Sequence, residues 1–60
     1  MKLTKENVQD WKKELDKIYF EKMGIEKLSE ANSDETWLDL YEGDTPEYAV
    51  DTDLYYWSQN

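Results

Sequence analysis

Residues 34–57 read DETWLDLYEGDTPEYAVDTDLYYW, and how they are parsed decides the fold. The stretch holds eight of the fifteen acidic residues and six of the nine aromatic ones, with no lysine. Near its middle Gly43 reads as a helix stop, and Thr45 as N-cap, Pro46 at N1 and Glu47 at N2 read as a new start. That punctuation predicts two short helices, one over about 34–42 and one from residue 46 onward. Ser33 can cap the first, with Asp34 and Glu35 at the positive end of its dipole. On it Trp37, Leu38 and Tyr41 face inward, while Glu35, Asp39 and Glu42, spaced i, i+4, i+7, form a carboxylate stripe. On the next helix Val50, Leu54 and Trp57 share a face.

A second period competes. Tyr48, Val50, Thr52, Leu54 and Tyr56 alternate with Ala49, Asp51, Asp53, Tyr55 and Trp57, and Asp-Thr-Asp is a poor helix interior. Leu38 and Leu40 alternate in the same way. This alternative is α+β, a C-terminal hairpin closed by GDTP and laid on an N-terminal helix. The strength of Thr-Pro-Glu as a start signal favours the all-α reading, a three-helix domain. Either way, the acidic residues are expected outside.

Upstream, Thr4 is the expected N-cap of a helix over about 4–23, with Val8, Trp11, Leu15, Ile18 and Lys22 on one face and Tyr19 widening the stripe. Asp10 with Lys13, and Glu14 with Lys17, are spaced to pair along it. Gly24 is placed for a left-handed end, with Ile25 folding back on Phe20 in a Schellman arrangement. Residues 24–33 then form a connector with one short helical turn. The whole chain, 1–60, reads as a single small domain without internal repeats.

A chain of 60 residues buries only about 60 % of the surface its unfolded form exposes. With no cysteine and no histidine, disulfides and zinc cannot staple it, so its aromatic content has a structural reason first. The net charge of −8 is unevenly spread. Residues 1–25 carry six lysines against five acids, and residues 26–60 carry ten acids against Lys27 alone. Arginine is absent, and carboxylates would meet phosphates, so direct nucleic-acid binding is disfavoured. A basic protein surface is the expected partner. No apolar run reaches bilayer length and MKLTKENVQDW lacks a signal-peptide core, so the expected location is cytoplasmic, away from membranes.

Catalysis is poorly provided for, because an active site would rest on pairs such as Glu35 with Asp39 or Asp51 with Asp53, which read as solvated surface carboxylates. The expectation is a non-enzyme. Glu47, Asp51 and Asp53 could offer oxygens to calcium or magnesium, yet no stretch has the register of an EF-hand loop, so no metal and no cofactor are expected. What remains is the acidic and aromatic surface. The residues expected to meet a partner are Glu35, Asp39, Glu42, Asp44, Glu47, Asp51 and Asp53, with Tyr48 and Tyr55 as ring contacts.

In length, acidity, lack of cysteine and the segment GDTPEYAV (43–50) ending in Tyr55-Tyr56-Trp57, about a quarter of the chain, it resembles small acidic phage and mobile-element proteins that inhibit nucleic-acid-binding host or defence proteins. The resemblance implies an inhibitor whose carboxylates stand in for phosphates in a basic groove. Two other readings stand beside it. An antitoxin-like or adaptor subunit, or a homodimer, would dock through Val8, Trp11, Leu15 and Ile18. A plain solubility face would have no charge-driven partner.

Overall fold

The computed structural model describes residues 1–58 and is all-α among them: α1 spans Val8–Met23, a 3₁₀ turn Leu28–Ala31, α2 Asp34–Tyr41 and α3 Pro46–Ser58. The hairpin alternative is excluded, since α3 covers the alternating segment.

Local signals account for most element ends. The Ser33 hydroxyl accepts from the Thr36 N–H at 3.2 Å, and Thr45 does the same for Tyr48 at 3.2 Å, so both expected caps form. Gly43 and Gly24 take φ of +86° and +70°, the left-handed region open to glycine. At Gly24 the N–H reaches the Phe20 carbonyl at 2.9 Å, the single bond of the simpler left-handed cap in place of the expected Schellman pair, and Phe20 stays 54 % exposed.

The start of α1 differs from expectation. Thr4 and Asn7 exchange bonds reciprocally, Thr4 N–H to Asn7 Oδ1 at 2.8 Å and Asn7 N–H to Thr4 Oγ1 at 3.3 Å, and the α-helix begins only at Val8. This is a capping box with asparagine in the third position, and its first turn is too tight to count as α.

Trp11, Leu15 and Tyr19 of α1 are completely buried against Trp37 and Tyr41 of α2 and Ala49 and Val50 of α3. Trp11, Trp37 and Tyr41 form a triangle with ring centroids 6.0–6.3 Å apart. Aromatic pairs at this spacing add to simple area burial, which lets a core of eight side chains suffice. Leu3, ahead of the first helix, is also completely buried. Its N–H donates to the Asp44 carbonyl and its carbonyl accepts from the Gly43 N–H, both at 2.9 Å.

Trp57, expected to share a face with Val50 and Leu54, is 50 % exposed where Val50 is completely buried. α3 runs along α1 so that Asp44 lies by Trp11 and Asp53 by Tyr19, which leaves a further turn with little of α1 to cover it. Lys22, placed on the apolar stripe by spacing, is exposed, and the expected Asp10–Lys13 and Glu14–Lys17 pairs are absent among the described residues. The ion pairs formed there are Lys12 with Asp34 at 2.8 Å and Lys22 with Asp51 at 3.2 Å.

Candidate functional site: a carboxylate groove and an aromatic helix face

The acidic residues of 34–57 divide into three groups once the packing is known. Two are taken up by α1. Asp34 accepts from Lys12 and, at 2.8 Å, from the Gln9 amide, which ties the first turn of α2 to α1. Asp51 accepts from Lys22, with both side chains well exposed.

Asp53 is the second group. It lies half-buried, and its two oxygens accept from the hydroxyls of Tyr19 and Tyr41, the latter at 2.8 Å. Contrary to expectation, this carboxylate is not outside: it joins α3 to both other helices from within the polar edge of the core. Burial first, then the bond and negative charge of Asp53, push both phenols far above their ordinary value. Spacing offered a signal, because Asp53 follows Ala49 by four residues and Val50 by three and so shares their buried face.

The third group, Glu35, Asp39, Glu42, Asp44 and Glu47, has no ion pair among the described residues. Glu35, Asp39 and Glu42 gather around one open groove of about 600 Å³, lined also by Leu38, Leu40 and a single cation, Lys5. The i, i+4, i+7 stripe is thus a contiguous surface, with Leu40 standing 59 % exposed beside it. Asp44 is half-buried, and its backbone does structural work: its carbonyl accepts from both the Leu3 N–H and the Trp11 indole N–H, the second at 3.0 Å. Glu47 is exposed in the first turn of α3, where the helix dipole favours a negative charge.

The expected ring contacts are both exposed, Tyr48 at 55 % and Tyr55 at 61 %. They project from α3 seven residues apart, on the side away from Pro46, Ala49 and Val50, with Asp51 between them. The structure therefore presents two features, a carboxylate groove on α2 and a tyrosine-bearing face on α3.

Sequence reasoning missed one polar site outside this region. Asp16 of α1 accepts from the Ser29 N–H at 2.8 Å and from its hydroxyl at 2.7 Å, and the Ser29 carbonyl accepts from the Trp37 indole at 2.8 Å. The chain is structural and anchors the 3₁₀ turn to the core.

Among the described residues no three carboxylates converge as a metal-ligating group, and no helix is long and apolar enough to cross a membrane. The α1 face considered for docking is occupied within the chain, since Trp11 and Leu15 are completely buried. Comparison with protein-family models, with curated proteins and with solved structures finds no match.

Proposed function

We propose that this chain is a non-enzymatic, cytoplasmic binding protein that uses its α2 carboxylate stripe to occupy the basic nucleic-acid site of another protein. The observation that carries this reading is the position of Asp39 and Glu42. Both lie at the C-terminal end of α2, where the helix dipole is negative and no basic residue stands in the last turn. A carboxylate there costs the fold about 0.3–1 kcal/mol. Crowding them around one groove with Glu35 adds mutual repulsion, which Lys5 only partly relieves.

Solubility alone would be served as well by acids placed anywhere on the surface, including helix N-termini. A basic partner accounts for the cost, because it relieves the repulsion when it binds. A carboxylate row along a helix then presents charge to a groove much as a phosphate row does, and the exposed tyrosines offer faces where bases would stack.

The test compares the wild-type chain with a Glu35→Lys, Asp39→Lys, Glu42→Lys variant for inhibition of oligonucleotide binding by candidate basic proteins at several salt concentrations. The proposal expects inhibition by the wild type that weakens steeply with salt and is lost in the variant. Equal behaviour of the two chains contradicts it.

A further inference from the structure

The outer face of α3 is not explained by folding. Its buried side is supplied by Pro46, Ala49 and Val50, while Tyr48 and Tyr55 point away from the core, more than half exposed. Seven residues of helix separate them by about 10 Å along the axis, with Asp51 one turn from each. One cation already meets this face: Lys22, reaching over from α1, holds an oxygen of Asp51 at 3.2 Å. That contact is open to solvent on both sides, 47 % and 67 %, and an ion pair so exposed is weak and readily exchanged.

From this arrangement the geometry points to the Tyr48–Asp51–Tyr55 face as a docking site for an arginine-bearing segment of a basic protein, with one guanidinium displacing Lys22 from Asp51 and lying against a tyrosine ring. Charge complementarity selects a cation: Asp51 and Glu47 lie on this side of α3, and no basic residue occurs in the helix. The rings select arginine over lysine. A guanidinium is planar, less strongly hydrated than an ammonium, and able to stack on an aromatic face while its edge makes a forked bond to a carboxylate. Lys22 demonstrates that the carboxylate is reachable, yet as a point charge it gains little from the rings.

This inference rests on the proposed binding of basic proteins and assigns the chemistry of the contact on α3. Capped octa-arginine and octa-lysine peptides, equal in charge, serve as probes, with dissociation constants measured by fluorescence anisotropy at fixed salt. The wild-type chain should bind octa-arginine about three- to fivefold more tightly than octa-lysine. A Tyr48→Leu, Tyr55→Leu variant should still bind both but without the preference, and Tyr48→Phe, Tyr55→Phe should retain it. Asp51→Asn, a single change at an exposed site, should reduce the preference independently of the tyrosines.

Equal affinity of the wild type for the two peptides, or a preference that survives the leucine substitutions, overturns the arginine site. If in that case both peptides still bind and the Glu35, Asp39, Glu42 variant loses them, the proposed function stands without it. Failure of both peptides to bind overturns the two together.

Discussion

The indole N–H of Trp11 donates to the carbonyl of Asp44, 33 residues along the chain, at 3.0 Å. The same carbonyl takes the Leu3 N–H, so the loop between α2 and α3 is held by the N-terminal segment and by the core at once. That loop separates the carboxylate groove from the tyrosine face, and its fixation sets how the two are presented.

Leu3→Ala should therefore cost more than a residue so near the chain start would suggest. Removing a completely buried leucine costs about 2–5 kcal/mol. A domain of this size has in total only about 3–9 kcal/mol. Urea unfolding followed by tryptophan fluorescence should show the midpoint collapsing. A shift worth less than about 0.5 kcal/mol would mean that the segment is not docked.

Two carboxylates two residues apart should respond unequally. Asp53→Asn disturbs bonds from two tyrosine hydroxyls and should cost about 1–3 kcal/mol, whereas Asp51→Asn loses an exposed ion pair worth about 0–1 kcal/mol. Equal effects in chemical denaturation would contradict the division of the acidic residues drawn from the packing.

Alkaline pH tests the same cluster. Tyr19 and Tyr41 hold their protons in the fold far above the ordinary 10.0 that governs the unfolded chain. Below pH 10 both states keep these protons, and the stabilisation is complete. Above it the unfolded chain loses them while the folded one does not, so stability falls by about 1.4 kcal/mol per pH unit for each tyrosine. Unfolding midpoints measured between pH 9 and about 11.5 should fall with a steeper slope in the wild type than in a Tyr19→Phe, Tyr41→Phe variant. Parallel slopes would show that these phenols are not protected.

Lys27 enters the 3₁₀ turn with φ of +54°, a left-handed conformation that costs a residue with a Cβ about 1 kcal/mol. Lys27→Gly relieves that strain but frees the unfolded chain, a partial offset. The expected result is a gain of up to about 1 kcal/mol in thermal or urea unfolding. A loss of similar size would contradict the backbone assignment.

Residues whose role is local were legible in the sequence. Ser33, Thr45, Gly24 and Gly43 act within one turn of their own position, and each does what its side chain or its lack of one dictates. The i, i+4, i+7 stripe of Glu35, Asp39 and Glu42 likewise followed from helix geometry alone. Illegible were pairings set by how the helices cross. Nothing near Asp53 in the chain announces Tyr19, 34 residues away, nor does Asp16 announce Ser29. Leu3 carried a signal in the sequence pattern of a hydrophobic residue just before the capping threonine and Val8 four residues after that threonine, the spacing of a hydrophobic staple. Trp57 misled because its face was right but its turn lies where α1 gives it little cover.

The central claim is that the α2 carboxylates occupy a site meant for nucleic acid. It is tested most directly by immobilising the chain, loading lysate proteins at low salt, and eluting with a short DNA duplex at unchanged ionic strength. The account predicts that the duplex releases nucleic-acid-binding proteins, and that a column bearing Glu35→Lys, Asp39→Lys and Glu42→Lys retains none of them. Retained proteins that the duplex cannot displace, or the same proteins held by both columns, would contradict it.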